Sequence, residues 1–390
     1  MAAKKRKNGE GTWGKKNIKG TEYQYFKDSS GKYFYGRTIK EVKEKKAKYD
    51  KTKITNKTTF KQYMLWYLKN IHKNTVEKTT YTSYMTIAKT IVDSKYYNIG
   101  RVQLDAITKK KNFIQEYITE ITKHYALNTI KGQWNVIKVC IGYAEKNGYI
   151  EKGILDDIKL PKESNCGHST KLIPFLSKND ADKLYKEVHS CYSNGKPRYS
   201  STGWSVLLLI HTGLRIGELR ALRWNDVDLE KKTLRVDESI GRYKEDEDES
   251  EYSLYTKNPK NQTSNRTIPL DSVAIEMIKN FEKINPDHSD TDFVCLTKYK
   301  NIINYQTISR KADVMLMRIG SEVAHINVHA LRHTFGSILY EQGAPMKTIS
   351  KLLGHKNIST TMNIYVDVND NSLVDSVNLL EPDAKKDMKD

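Results

Sequence analysis

Cysteine is scarce in this chain of 390 residues. Its four, Cys140, Cys166, Cys191 and Cys295, form neither a CxxC pair nor a metal-ligand spacing. Reduced, buried thiols are expected, rather than a disulfide framework or a zinc cluster. Nowhere does an apolar run reach the roughly 18 residues that a membrane-crossing helix needs. The start, Met1-Ala-Ala-Lys-Lys-Arg-Lys, lacks the apolar core of a secretory signal and reads as a basic tail. These absences predict a soluble, cytoplasmic protein with no membrane partner. Acidic residues are also in short supply: 47 Asp and Glu stand against 66 Lys and Arg, a net charge of +19. Such an excess attracts a polyanion, because DNA or RNA releases condensed counterions when its phosphates are neutralised.

What is present falls into three blocks, and the length leaves room for two or three domains. Residues 1–56 hold 17 Lys/Arg against 6 Asp/Glu, about +11. Two stretches with period-two aromatics, Glu22–Lys27 and Lys32–Arg37, flank the turn Asp28-Ser-Ser-Gly31, which predicts a β-hairpin. Thr38 then caps a lysine-rich helix running to Tyr49. A small sheet with a basic face fits a DNA major groove, whereas a solvated hairpin is the duller alternative. After a polar linker at Lys51–Lys57, residues up to 160 read as all-helical, with Phe113, Ile114, Tyr117, Ile118 and Ile121 at helical spacing. Residues 161–171 read as a linker, and 172–390 mix short helices with strands.

The third block carries the chemistry. A buried helix from Trp204 is stopped by Gly213, and Arg215 opens the next helix, Ile216–Arg223, which carries Glu218. Thr233–Val236 and Arg266–Leu270 read as strands. Between them lies the acidic cluster Glu245-Asp-Glu-Asp-Glu249, read as a solvated loop with an extended hairpin as the alternative. His329 and Arg332 stand three apart on one helical face, with His333 read as packing support. Lys347–Leu353 forms an amphipathic helix ended by Gly354-His355, and Ser359–Thr361 caps a last short helix with Tyr365. Singly each signal is weak: Arg215 alone reads as a salt bridge, His355 as a surface histidine, Tyr365 as core. Jointly they supply two arginines, two histidines and a phenol, the set that metal-free cleavage of a phosphodiester through a covalent tyrosine requires.

The strings TGLRIGELRALRW, RTIPL, HALRHTFGS, LLGH and TTMNIY follow one another in an order that resembles the tyrosine recombinase, or phage integrase, family. Within it the chain is most similar to the arm-binding integrases of conjugative transposons and prophages. The resemblance implies a small β-sheet arm-binding domain (1–56), an all-α core-binding domain (57–160), a linker (161–171) and a mixed α+β catalytic domain with a C-terminal tail (172–390). It implies Arg215 and Arg332 on the phosphate, whose oxygens a guanidinium fork matches. It further implies His329 and His355 as hydrogen-bond donors or proton relays, and Tyr365 as the nucleophile that becomes a 3′-phosphotyrosine. A lysine should protonate the leaving 5′-oxygen; Lys260 falls at the family's position, with Lys257 as the neighbouring alternative. Glu218 matches a frequently acidic position, orienting Arg215 or the Tyr-bearing segment, with a surface ion pair as the duller alternative. No cofactor and no metal are expected, since the phosphotyrosyl bond keeps the energy of the broken diester. The implied partners are duplex DNA at core and arm sites, a homotetramer on that DNA, an excisionase and a host DNA-bending protein. The tail Asn371–Leu380 packs either in cis or on a neighbour. Two other readings stay open here: a type IB topoisomerase-like enzyme, and an architectural DNA-binding protein without catalysis.

Overall fold

The structure, a computed structural model, describes residues 12–18, 20–27, 32–52, 54–110, 112–169, 174–244, 252–257, 265–355, 357–359 and 362. The chain divides into two compact units, Met1–Thr170 and Lys171–Asp390. Among the described residues no helix is long and apolar enough to cross a membrane.

The first unit opens with an antiparallel sheet of β1 (Thr12–Ile18), β2 (Thr21–Lys27) and β3 (Tyr33–Gly36) in the order β1-β2-β3. The hairpin read from the aromatic alternation is β2–β3, with Phe26 opposite Phe34. β1 is an addition: Lys15, Lys16 and Asn17 interrupt any apolar alternation, and pairing of Trp13 with Phe26 holds the strand in register. Because side chains alternate faces along a strand, Phe26 and Phe34 share one face and bury against Val42 of α1 (Ile39–Thr52). The Thr38 cap is present, its hydroxyl accepting from the Glu41 amide at 3.2 Å, while the Glu41 carboxylate accepts from the Arg37 amide at 2.8 Å. α1 extends into the segment read as a polar linker.

Five helices follow: α2 (Phe60–Asn70), α3 (Lys78–Val92), α4 (Leu104–Lys109), α5 (Phe113–Thr122) and α6 (Leu127–Lys146). Their apolar stripes close one core that includes Phe60, Met64, Leu68, Phe113, Ile114, Tyr117, Ile118, Ile121, Ile137, Cys140 and Ile141. Thr59 and Gln62 form a capping box at the start of α2. Residues 163–167 stay attached to this bundle, with the Gly167 amide donating to the Thr122 carbonyl at 2.8 Å.

The second unit surrounds α8 (Ser201–Thr212), whose Val206, Leu207, Leu208 and Leu209 are all fully buried. A helix apolar all round belongs in the middle of a core. α7 (Lys178–Val188), α10 (Ser272–Ile284), α11 (Tyr305–Ile319) and α12 (Val328–Glu341) pack around it. α9 (Ile216–Ala221) is shorter than the sequence suggests. Leu222 leaves helical geometry at φ −57°, ψ 124°, and its carbonyl accepts from the Val294 amide at 2.8 Å. β4 (Val227–Asp228), β5 (Thr233–Val236) and β8 (Arg266–Pro269) form an antiparallel sheet, with Val236 opposite Arg266. β6 (Ser239–Tyr243) and β7 (Ser253–Lys257) make a separate hairpin, so strands flank the acidic cluster; residues 245–251 themselves lie outside the described residues. α13 (Met346–Leu353) buries Ile349 and Leu353 against Phe335 and Leu339.

Candidate active site

Two glycines in the left-handed region set the stage, both at φ +64°. Gly213 ends α8, and a Cβ there would meet the Phe335 ring at 2.5 Å, so the chain turns where no larger residue fits. Gly354 ends α13; the His355 amide reaches back to the Ser350 carbonyl at 3.1 Å, a Schellman closure. These turns bring Arg215 and His355 towards α12, which carries His329 and Arg332. α12 is itself capped by Asn327, whose side-chain oxygen accepts from the amides of His329 and Ala330 at 3.0 and 2.9 Å.

At the centre is one carboxylate. Glu218 accepts from Arg215 Nη1 at 2.7 Å and from the Arg215 amide at 2.8 Å. Arg266, at the start of β8, donates to both Glu218 oxygens, at 3.2 and 2.8 Å. Arg332 Nη1 stands 3.8 Å from the same carboxylate. Burial alone would raise the Glu218 pKa, but the Arg266 hydrogen bonds and the charges of Arg266, Arg215 and Arg332 outweigh it and hold it down to about 2. Three guanidiniums thus share one negative charge, leaving a local excess of two positive charges.

The three are not equivalent. Arg332 is 2% exposed, donating to the Gly213 carbonyl at 2.8 Å and to the Leu353 carbonyl. Arg266 is also buried and donates to the Leu352 carbonyl at 2.7 Å. Arg215 reaches the Gly354 carbonyl at 3.4 Å but keeps 36% of its side chain exposed. It is the guanidinium of this cluster that faces solvent.

Histidines line the same place. Partial burial, then the charges of Arg332 and Arg215, lower the pKa of His355 to about 4 and also depress His329. His333 is buried and lowered to about 4, its ring edge-on to His329 with centroids 4.8 Å apart. At neutral pH both His329 and His355 are uncharged, and a neutral imidazole can accept a proton.

Of the residues singled out from sequence, the structure brings together Arg215, Glu218, His329, Arg332 and His355. Lys257 ends β7 opposite Ser239. Lys260 and Tyr365 lie outside the described residues. Sequence reasoning missed Arg266. The RTIPL string served it as a strand and as a family motif, with no role given to its arginine, although an arginine opening an otherwise apolar strand was the available signal.

A family model described as the phage integrase family matches residues 174–372. That span takes in the whole cluster and more than half of the chain. The chain belongs to the phage integrase family. A tyrosine recombinase XerC-like protein of Caldanaerobacter subterraneus subsp. tengcongensis is 29% identical over 370 residues, 88% of this chain and 90% of that protein. The transposase of transposon Tn916 from Enterococcus faecalis is 23% identical over 320 residues, 77% of this chain and 72% of its own length. Among solved structures, the Tn1549 transposon integrase in complex with circular intermediate DNA superposes with a TM-score of 0.62 at 19% identity, covering 83% of this chain and all of that one. A lambda integrase tetramer bound to a Holliday junction gives a TM-score of 0.55 at 17% identity, covering 88% and 95%. Within its family this chain is a tyrosine-type site-specific DNA recombinase resembling conjugative-transposon integrases. Neither a topoisomerase nor a non-catalytic architectural protein is favoured.

Proposed function

We propose that the chain integrates and excises a mobile DNA element, cutting and rejoining each strand through a 3′-phosphotyrosyl bond at Tyr365. The observation that carries the site assignment is the gathering of Arg215, Arg266 and Arg332 on Glu218 with His329 and His355 alongside. In this reading the excess positive charge neutralises the non-bridging oxygens of the scissile phosphate and the further charge of the pentacoordinate state. Arg215 makes the first contact. Arg332 supplies charge from behind it. A neutral His355 or His329 takes the tyrosyl proton, needed because a phenol with pKa about 10 is a poor nucleophile at neutral pH. The tyrosyl oxygen bonds to phosphorus, the 5′-oxygen leaves, and Lys260 supplies its proton. Rejoining is the same exchange in reverse.

The finer layout is part of the proposal. Residues 1–56 form the arm-binding domain, whose sheet face away from α1 carries Tyr25, Tyr33 and Tyr35 in mutual ring contact with Lys27 over Tyr33. Residues 57–160 form the core-binding bundle, 161–171 the linker and 172–390 the catalytic domain. Two DNA-binding units on one chain suit bridging of arm and core sites on bent duplex. A host DNA-bending protein and an excisionase would act on such an assembly, with four copies performing the four strand exchanges.

The test is covalent trapping on a nicked suicide duplex carrying the element's own ends. Native protein should give an adduct that survives a denaturing gel. Tyr365→Phe should give none while binding the same DNA within about twofold. An adduct retained by Tyr365→Phe would move the nucleophile elsewhere.

A further inference from the structure

Arg220 is the anomaly among the arginines of the second unit. It is 8% exposed, its Nε is enclosed without a hydrogen-bond partner, and among the described residues no carboxylate pairs with it. Arg266 and Arg332 are answered by Glu218 and backbone carbonyls and half-buried Arg223 by Glu238 at 2.9 Å, while half-buried Arg198 lies over the Tyr192 ring. Even the more exposed Arg235 and Arg318 have Asp226 and Glu187. Burying a guanidinium without an acceptor is costly, and here a second cation makes it worse. Arg242 of β6 lies close enough to lower the Arg220 pKa further, after burial itself.

The surroundings are built rather than incidental. Arg242 is exposed, its guanidinium carbon 4.7 Å from the ring centroids of both Tyr252 and Tyr305, and it too has no carboxylate partner among the described residues. Gly217 lets α9 press onto β6: a Cβ there would stand 2.5 Å from Ser239 Oγ and 2.9 Å from the Ile240 carbonyl. That close approach fixes the two arginines relative to one another. Tyr305 is the first residue of α11, capped by Asn304, so the positive end of a four-turn helix adjoins the pair. Asn304, Gln306, Thr307 and Arg310 around it are exposed. On α9, Arg220 comes two residues after Glu218 and so points to about the opposite side of the helix, at ~100° per residue. The pair is thus separate from the cluster around Glu218.

We infer that Arg220 and Arg242 together grip one backbone phosphate of duplex DNA, outside the scissile position. The inference rests on the recombinase reading and adds to it a second, non-catalytic anchor. A phosphate is the anion that two planar forks and a helix N-terminus match. A chain of net charge +19 that acts on DNA meets phosphates before any other anion. Arg242 forms the accessible rim, beside its two tyrosines, and Arg220 the fixed floor.

The test measures affinity of the full chain for duplex recombination-site DNA against salt concentration, for native protein, Arg220→Met, Arg242→Gln and the double variant. Each single change should weaken binding about tenfold at ~0.1 M salt and flatten the log–log slope. Because one phosphate is shared, the double variant should flatten the slope by about one in total. Arg220→Met should leave the thermal midpoint of the free protein unchanged or raised, since it removes an unanswered buried charge. Unchanged affinity and slope in Arg242→Gln overturn the inference, whatever Arg220→Met does to folding. So does an Arg220→Met protein that melts earlier yet binds DNA normally, which makes Arg220 a packing residue. A change in self-association at constant DNA slope also overturns it, in favour of a carboxylate on another copy. Suicide-substrate trapping run alongside separates the two failures. An adduct with unchanged slopes sinks only the phosphate anchor, whereas no adduct from native protein sinks the recombinase reading itself.

Discussion

The two units bury very different things. In the first, the described core is aliphatic and phenolic, and its only buried polar side chains outside the tyrosines are His72 and Gln133. Tyr63 donates to the Cys140 carbonyl at 2.7 Å and Tyr117 to Gln133, and burial pushes both phenols well above their ordinary pKa. Nothing there is positioned to change charge. The second unit buries Glu218, Arg220, Asp226, Arg266 and Arg332 together with His333. A fold tolerates such groups only where they are paired or where function keeps them. The contrast is between an interior of apolar and phenolic side chains and one that stores charge.

Glu218 gives the largest expected effect. Glu218→Gln keeps shape but leaves Arg215, Arg266 and Arg332 without their common anion. Stranding buried charges in this way costs about 3–5 kcal/mol. Denaturant unfolding should show the loss in the second unit, read by a local probe, while the first unit's transition stays put. Cleavage on the suicide duplex should fall at least about tenfold, because a misplaced Arg215 no longer meets the charge that develops on the phosphate. Unchanged stability would mean that the carboxylate is a bystander and that the contrast between the units is superficial.

Acid should separate the units next. His333 and His355 have pKa values near 4 in the fold against an ordinary 6.5. A base depressed by folding contributes stability that is complete above the unfolded pKa. That contribution is lost as pH falls from about 6.5 to 4. Glu218, held near 2 against an ordinary 4.5, adds a second loss at still lower pH. In the first unit burial depresses His72, while hydrogen bonds from Lys110 and Lys123 lower Glu116 and Glu120, carboxylates that titrate below the histidine window. The second unit should therefore lose stability first on going from pH 7 to pH 4.5, by hydrogen exchange resolved along the chain. Earlier loss of protection in α2–α6 would reverse the comparison. The protein should also take up protons on binding DNA at pH 6, because a phosphate beside His355 and His329 offsets the arginine charges that depress them. Calorimetry in two buffers of different ionisation enthalpy measures that uptake.

Much of this was legible in the sequence where residue type and local geometry agree. Gly213 and Gly354 announce left-handed helix ends, Thr38 announces a helix start, and the stripe from Phe113 to Ile121 announces a buried face. Arg215, Glu218, His329, Arg332 and His355 were singled out by the order of their motifs and the family resemblance that order carries, and the structure gathers them. What was missed depends on long-range pairing. β1 has no apolar pattern of its own and exists because β2 offers an edge. The β6–β7 pairing corresponds to the extended hairpin that the sequence offered only as the alternative to a solvated loop. Arg266 looks like a surface residue until β8 docks beside β5 and turns it onto Glu218, forty-eight residues away. The direction in which Arg332 points was equally unreadable. Spacing gives its helical face, but only the assembled turns at Gly213 and Leu353 show that its guanidinium faces inward.

The smallest expected effect tests the scaffold side of the comparison. Tyr63→Phe removes the hydroxyl that donates to the Cys140 carbonyl and leaves the ring stack with Tyr67 and the edge contact with Tyr149 in place. A buried neutral hydrogen bond contributes about 1 kcal/mol net. The stranded acceptor is a helical carbonyl that keeps its own backbone partner, so the loss should lie at or below that figure. The first unit should melt slightly earlier, the second should not move, and the rate of adduct formation on saturating DNA should be unchanged. A slower cleavage step at full DNA occupancy would show that the interior of the bundle bears on the chemistry, and the division between a scaffold unit and a charge-storing unit would fail.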